Sequence, residues 1–533
     1  MANGKNNNIY EKTSFLGANS SQFIQELYAD YLTNPQSVPN EWKIFFKGLK
    51  DEKDGIIKNE KWASKICKIE EVKITRLAES MVSKRTMISL SWSLTRQQHG
   101  EQPYWAGIAL ASMIGQIGVS GGGFGFGYSA VNTVGNNLMH YKFPSFPQKK
   151  NPVSDFIPVA RFSDMLLNPN KKINYNGKVL VYPDIKIVYW AGGNPFHHHQ
   201  DINKMIKAWK KPETIIINDW CWNTTAKFAD IILPCTTTFE RDDISISGHD
   251  NYIVSMEKAI QPIGLAKDDY EIFSNLASLM GVNHEFTEGK KAKDWQEKIY
   301  DECRKILMKR NKDIPMYDEF RKKKWFKIKK MKGLKIMLKE FRQNPIKNPL
   351  KTPSGKIEIF SKKIKSFDYI NCPPHPCWLE PYEWLGNKKI SHKFHLISNQ
   401  PREKLHSQYD HGDISKSLKI NQRQTLLINI DDAKDMKINN KDIVKVYNKR
   451  GSCICSVILS KSIVRNVLML PTGAWFSPEN YSSKKLSCNH GNPNILTPDI
   501  GTSDLAQGPS AHSCLVSLKK IKETLFLEFD KIK

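Results

Sequence analysis

The stretch from Ile187 to Pro234 reads IVYWAGGNPFHHHQDINKMIKAWKKPETIIINDWCWNTTAKFADIILP, and its rhythm decides the fold. An apolar run, Ile187 to Trp190, ends at Gly192, Gly193, Asn194 and Pro195. A helix-compatible segment follows, then a β-branched run from Thr214 to Ile217 that ends at Asn218 and Asp219. A third run, Ile231 to Leu233, stops at Pro234. Apolar runs alternating with helical segments predict a parallel sheet with crossover helices. In such sheets ligands bind just beyond the carboxyl ends of the strands. Gly193 permits close approach to the backbone, and Asn194 and Asp219 offer polar groups at those ends. The pattern suits a large polar ligand with a nucleotide part. The plainer alternative is a doubly wound sheet with polar loops and no special ligand.

The 533 residues have room for several domains and a sizeable core. A hydrophobic share of 40% and a mean hydropathy of -0.49 describe a soluble globular chain. No window reaches the roughly 18 consecutive apolar residues of a membrane helix. The opening MANGKNNNIYEK has neither an apolar signal core nor a twin arginine, so a cytoplasmic location is expected. The net charge of +26 is dispersed, and no nucleic-acid-binding motif accompanies it, so no nucleic-acid partner is expected. Its densest run is RKKKWFKIKKMKGLKIMLKE, Arg321 to Glu340, expected as a solvated helix or insert, with a basic amphipathic helix as the alternative. The ten cysteines include no C-x-x-C pair, which argues against an iron–sulfur or zinc site.

Residues 13–49 read TSFLGANSSQFIQELYADYLTNPQSVPNEWKIFFKGL. Phe23, Leu27, Tyr31 and Leu32 share a helical face, Pro35 ends that helix, and a second helix carries Trp42, Phe45 and Phe46. The wording resembles the N-terminal segment of the thiamine-dependent decarboxylase component of 2-oxoglutarate dehydrogenase. That resemblance implies docking to 2-oxoacid dehydrogenase subunits. It does not imply decarboxylation, because the GDG…NN pattern for thiamine diphosphate is absent. The charged stretch KDEKDGIIKNEKWASK, 50–65, reads as a linker or fusion seam.

From about residue 66 to 520 the chain resembles the molybdopterin oxidoreductases, and within them the dimethyl sulfoxide / trimethylamine N-oxide / biotin sulfoxide reductase family. The words GGNPFHHHQD and ADIILP carry the resemblance first. A helix from Ile69 to Val82 and a strand from Arg85 to Trp92 precede them, then a helix from Glu101 to Ile117 and the glycine run GVSGGGFGFGYS. At that strand's end Trp92 offers a stacking face and Arg96 a planar fork for phosphate or guanine. By resemblance, Ser91, Trp92, Arg96 and Gln102 contact a pyranopterin-guanine dinucleotide, as do Gly193, Asn194, His199, Asp201, Asn218, Asp219 and Asp230. The cluster Glu240, Arg241, Asp242 and Asp243 reads either as acid/base groups or as a salt-bridged loop; the resemblance brings Asp242 to the dinucleotide. Three adjacent histidines, His197 to His199, do not share a helical face and so make a poor metal site.

Residues 391–520 form the last expected domain. Short strands at Phe394–Ile397, Leu426–Ile428, Ile443–Val446, Cys453–Leu459 and Val467–Leu470 predict a barrel-like β domain. Two segments stand out, SNQPREKLHSQYDHG (398–412) and CNHGNPNILTPDIGTSDLAQGPS (488–510). Both are dense in amides, hydroxyls and histidines that can fix a fused ring. The resemblance makes Ser398, Asn399, Leu405, His406, Ser407, Gln408, Asn492 and Gln507 pterin contacts. Lys404 stands where the family usually has arginine.

The expected architecture is therefore α/β. It comprises a helical segment (1–50), a seam (51–65), partial doubly wound molybdopterin domains (66–390), a β-barrel-like dinucleotide-binding domain (391–520) and a tail. The implied cofactor is bis(molybdopterin guanine dinucleotide) with molybdenum, without thiamine diphosphate or an iron–sulfur cluster, and the implied chemistry is oxygen-atom transfer from a small S-oxide or N-oxide. The family's metal-ligand serine lies upstream of the point where the resemblance begins. No serine here takes that role, so no catalytic or metal-ligand residue is assigned, and cofactor loading is expected only if the missing part is supplied. A fusion or interaction protein built on the N-terminal hairpin is the alternative reading.

Overall fold

The computed structural model describes residues 63–126, 142–246, 251–309, 313–328, 336–478 and 485–522, together with 30–31, 33–40 and 42–43. Two compact units emerge, residues 1–88 with 108–124, and residues 89–107 with 125–533. Of the N-terminal hairpin only the turn around Pro35–Val38 and its helical flanks are described; Phe23, Leu27, Phe45 and Phe46 lie outside the described residues. In the first unit the helix Glu71–Ser83 buries no side chain. The strand expected at 85–92 forms at Met87–Leu90, and the following helix spans Gln102–Ile114.

The second unit contains the parallel sheet read from the sequence. Strands β1 (Ile187–Ala191), β2 (Thr214–Asp219) and β3 (Ile231–Pro234) lie side by side in that order. Val188 pairs with Ile215, and Ile217 pairs with Ile232. β-Branched residues favour the extended backbone, and a sheet covered on both faces has no need of alternation. Helix α1 (Ile202–Trp209) crosses from β1 to β2 and buries Ile202, Met205, Ala208 and Trp209. Asp201 caps it by accepting from the Lys204 N–H at 3.1 Å. On the opposite face helix α2 (Asp269–Leu279) brings Phe273 to within 5.4 Å of the Tyr189 ring.

A small antiparallel sheet follows, made of β4 (Asp243–Ile246), β5 (Tyr252–Met256) and β6 (Trp325–Lys327). Of the basic run, residues 329–335 lie outside the described residues, and the rest is helix at its two ends with a short strand between. Arg321–Lys323 closes a helix that starts at Tyr317, Lys324 turns with φ +68°, and Trp325–Lys327 pairs antiparallel to Tyr252–Val254. The Trp325 ring packs 5.8 Å from Tyr252. The strand wins because an aromatic pair across two strands outweighs the weak helical preference of a lysine-rich segment whose like charges repel.

The last strands close on themselves. β7 (Phe394–Ile397), β8 (Thr425–Asn429), β9 (Ile443–Tyr447), β10 (Ser452–Ser460), β11 (Val467–Met469) and β13 (Leu515–Lys520) run in the order β8-β11-β7-β13-β9-β10. β10 pairs back with β8, and β12 (Ser487–Cys488) adds to β10. Closure satisfies every strand edge, which an open antiparallel sheet cannot do. β13, whose LVSLKK carries no clear strand signal in the sequence, completes the ring. One hydrophobic core runs across the expected division at 390/391, from Met165, Phe196 and Ile217 to Leu426, Val457 and Val516. Among the described residues no helix is long and apolar enough to cross a membrane.

Candidate functional site

β1 ends in a turn that only glycine adopts without strain. Gly192 and Gly193 have φ of +76° and +92°. The Gly192 N–H donates to the Asn218 carbonyl at 3.0 Å, tying the turn to the end of β2. Asn194 follows, buried. Its Oδ1 accepts from the Thr225 hydroxyl at 2.8 Å, while Nδ2 is buried with no protein partner. A buried amide donor left unpaired costs roughly 1–3 kcal/mol, so its position marks a place where a ligand would supply the acceptor.

In front of this turn lies a cleft of about 230 Å³. Its walls come from five separated segments: Gly192–Asn194, Asp219–Cys221 with Asn223, Cys235, the barrel loop Ser407–Tyr409, and Trp475. Asp219 sits at the inner end, accepting from the Trp220 N–H at 2.8 Å and from the Asn223 amide; burial raises its pKa. Two thiols share the cleft, and burial pushes Cys221 up to about 12 and Cys235 to about 11. They are therefore protonated and poor nucleophiles at neutral pH. Trp220, Tyr409, His411 and Trp475 form a continuous aromatic wall with neighbouring centroids 4.9 to 5.9 Å apart.

The barrel loop is held by charge. Lys404, its side chain fully buried, donates to Asp410 Oδ1 at 2.8 Å, and Lys419 reaches the same oxygen at 2.9 Å. Lys404 is thus spent on the protein interior. The adjoining segment 471–476 fits only because Gly473 lacks a side chain: φ is +108°, and a Cβ there would lie 2.3 Å from the His406 carbonyl oxygen and 2.6 Å from Lys404 Cε.

The predicted residues divide into two sets. Gly193, Asn194, Asp219, Ser407 and Gln408 line the cleft together. Ser398 and Asn399 begin the same barrel loop, and Asn399 Oδ1 is buried without a partner. Arg96 is exposed and lies outside the cleft walls. Its carbonyl accepts from the His512 N–H at 2.8 Å, and its charge lies close enough to add to the effect of burial in lowering the pKa of His198, His406 and His512. Ser91 caps the turn Trp92–Thr95 just before it, with Trp92 exposed. Leu405 is also exposed.

The other residues turn to partners inside the protein. Asn218 accepts from Tyr189 at 2.9 Å and donates to Asp269 at 3.1 Å. Gln102 accepts from the Cys377 N–H, Asp230 from the Ile215 N–H, and Asp201 caps α1. Asn492 ties Phe196 to Asn494, and Gln507 donates to the Asn174 carbonyl. His199 packs against Phe162 and Trp190 at 5.5 and 5.9 Å. Asp242 lines a different pocket, where the Lys258 N–H and Arg321 reach it at 3.0 and 2.9 Å. Glu240 bonds the Thr237 and Ile263 N–H groups. Sequence reading did not single out Trp220, Cys221, Asn223, Cys235, Tyr409 or Trp475; only the aromatic density of NDWCW and PTGAWF hinted at them.

Burial brings His197 and His198 down to about 3 and His199 to about 4. All three are neutral imidazoles at pH 7, and His197 Nε2 meets the Thr472 hydroxyl at 2.8 Å. A glycine turn open to close approach, two unpaired buried amide atoms of opposite hydrogen-bonding sense, an aromatic wall and an exposed guanidinium match a large heterocyclic, anionic ligand.

Comparison with known proteins gives that ligand its chemistry. Residues 46–279 match the family described as Molybdopterin oxidoreductase, and residues 394–515 match the Molydopterin dinucleotide binding domain. The chain belongs to the molybdopterin oxidoreductases. Within them it is similar to enzymes named for S-oxides and N-oxides. Biotin sulfoxide reductase of Cereibacter sphaeroides is 41% identical over 90% of this chain and 64% of its own length. Trimethylamine-N-oxide reductase of Haemophilus influenzae is 39% identical over 89% of this chain and 60% of its own. The chain thus spans less than two thirds of the length of these relatives. Residues 13–53 match the 2-oxoglutarate dehydrogenase N-terminus. Acetylene hydratase from Pelobacter acetylenicus shares the fold, with a TM-score of 0.50 and 16% identity over 64% of this chain and 45% of that one.

Proposed function

We propose that this chain carries the cofactor-binding part of a molybdenum oxidoreductase that takes an oxygen atom from a small S-oxide or N-oxide, biotin sulfoxide first among them. One observation carries the reading: Asn194 Nδ2, a buried donor without a protein partner in the wall of the cleft, with a second buried orphan, Asn399 Oδ1, at the start of the barrel loop whose residues Ser407–Tyr409 form another wall. Gly192 and Gly193 admit the ligand to the backbone, Asn194 donates, Asn399 accepts, and Trp220 and Tyr409 offer stacking faces. Arg96 and Trp92 suit the guanine dinucleotide form, with Arg96 on its phosphates. Bound there, the molybdopterin group supplies two-electron oxygen-atom chemistry at molybdenum. The neutral histidines keep uncompensated positive charge away from the cleft interior. The 41% identity to a biotin sulfoxide reductase supports the substrate choice.

The test is to express the full chain in a host that makes molybdopterin and measure pterin and molybdenum per folded chain. Bound pterin is expected even without a further part, because the cleft walls described above all lie within this chain, whereas molybdenum is expected only when the missing part is supplied; folded protein that retains no pterin would overturn the reading. With the missing part supplied, reduction of biotin sulfoxide, trimethylamine N-oxide and dimethyl sulfoxide by an artificial electron donor then ranks the substrates.

The match at residues 13–53 favours a second activity of the same chain, docking to a 2-oxoglutarate dehydrogenase assembly. Binding to that purified assembly, lost on deleting residues 1–53, is the expected result. Equal binding by the deleted chain would remove it.

A further inference from the structure

We propose that Asp410 is a positioning residue of the cofactor cleft, whose carboxylate helps to hold both of its barrel-side lips in register. This inference rests on the cofactor reading above. The carboxylate is almost fully buried and uses both oxygens. Oδ1 accepts from Lys404 and Lys419 at 2.8 and 2.9 Å. Oδ2 accepts from the Trp475 backbone N–H at 2.9 Å. Trp475 in turn donates its indole N–H to the Ser407 carbonyl at 2.8 Å. Ser407 and Trp475 are both cleft walls, so one carboxylate anchors the segment that carries each.

Two further ties run between the same two segments. The Thr472 N–H donates to the Asn399 carbonyl at 2.9 Å, and Gly473 lies against the His406 carbonyl oxygen. The first is a single main-chain hydrogen bond and the second a close steric approach, neither of them charge-assisted. Asp410 adds a side chain with two directional, charge-assisted bonds on one oxygen and a third bond on the other. Sliding the 471–476 segment past 398–410 breaks the Oδ2 bond while the lysines still hold Oδ1, which leaves a buried acceptor unpaired.

Charge balance explains why the group can be buried at all. Glu403 lies 3.5 Å from Lys404, so two carboxylates face two ammonium groups, Lys404 and Lys419, in an almost dry interior. Removing Asp410 alone therefore does two things, unpairing a lysine and releasing Trp475. The experiment must separate them.

Asp410→Asn removes the charge and keeps an oxygen. Asp410→Asn combined with Lys419→Met restores neutrality. Three quantities are measured on the full chain: the unfolding midpoint, pterin retained per chain, and quenching of tryptophan emission by acrylamide, with Trp475→Phe as the reference that isolates Trp475. The single variant is expected to unfold more readily. The double variant is expected to recover its unfolding midpoint, yet to retain on the order of tenfold less pterin and to expose Trp475 to quencher. Recovery of pterin retention and of Trp475 protection together with stability would reduce Asp410 to charge balance and overturn the proposal. If the unsubstituted chain binds no pterin, the cofactor reading fails, and the Trp475 quenching comparison still decides whether Asp410 positions the lips.

Discussion

The Thr225 hydroxyl donates to Asn194 Oδ1 at 2.8 Å and so fixes which edge of the Asn194 amide is left for a ligand. Oxygen is turned to the protein and nitrogen is left without a protein partner. Asn194→Asp keeps an acceptor for Thr225 and removes the donor. It is expected to lose pterin retention, and the buried carboxylate, with the Thr225 hydroxyl as its donor, lowers stability too. Asn194→Ala orphans the buried Thr225 hydroxyl as well, costing about 1–3 kcal/mol. Urea unfolding alongside pterin content distinguishes the two, and equal pterin retention in wild type and Asn194→Asp would remove Asn194 from the site.

Gly473 cannot carry a side chain. Its φ is +108°, and an added methyl carbon would stand 2.3 Å from the His406 carbonyl oxygen, so Gly473→Ala must move backbone against backbone. The left-handed conformation alone costs about 1 kcal/mol or more, and the clash adds to it. A fall in the urea midpoint is expected, larger than for Gly192→Ala, where a Cβ meets nothing within 4 Å.

Arg450 and Glu383 form a bidentate pair at 2.6 and 2.8 Å, both side chains buried. Arg450 also donates to the Leu496 carbonyl, and Glu383 accepts from the Leu515 N–H at 2.9 Å. The pair thus locks the 488–510 loop to β13. Arg450→Met is expected to destabilise by about 3–5 kcal/mol, because it strands a buried carboxylate. Adding Glu383→Gln should recover much of that loss; a double variant no better than the single one would show the cost to lie elsewhere.

Acid should unfold this protein early. His197, His198 and His199 are held near 3, 3 and 4 by burial, against 6.5 for an exposed imidazole. Their folded pKa is depressed, so the unfolded chain binds more protons between these limits. The stabilisation is full above pH 6.5 and is lost as the pH falls towards 4, at about 1.4 kcal/mol per pH unit for each histidine. Asp410 adds a loss at lower pH. Burial alone would raise its carboxyl, but Lys419 and Lys404 outweigh that and hold it below the usual carboxylate range. Unfolding free energy measured from pH 7.5 to 4.5 should stay level to about pH 6.5 and then fall steadily; a flat profile from about pH 6.5 to 5 would contradict the neutral histidines.

Much of the fold is legible in the residues. β1, β2 and β3 fall on the three apolar runs because β-branched and aromatic residues favour the extended backbone. Five of the six barrel strands fall where alternation and turn signals place them, and β13 escapes because its LVSLKK ends in two lysines. Within the basic run the strand Trp325–Lys327 goes unread, because local charge pattern says nothing about the Tyr252 ring that Trp325 packs against.

For the site, the sequence by itself determined the chemistry on offer: a glycine turn at a strand end, amides and histidines in two loops, and the wording of the molybdopterin family. The tertiary structure alone decided which polar groups face a ligand. Asn218, Gln102 and Asp230 look as available as Asn194 in the sequence, yet each is consumed by a partner 15 to 275 residues away. Trp220, Tyr409 and Trp475 become one wall only when three distant segments meet. A side chain's type is local, but whether its hydrogen bonds are already satisfied is a property of everything packed around it.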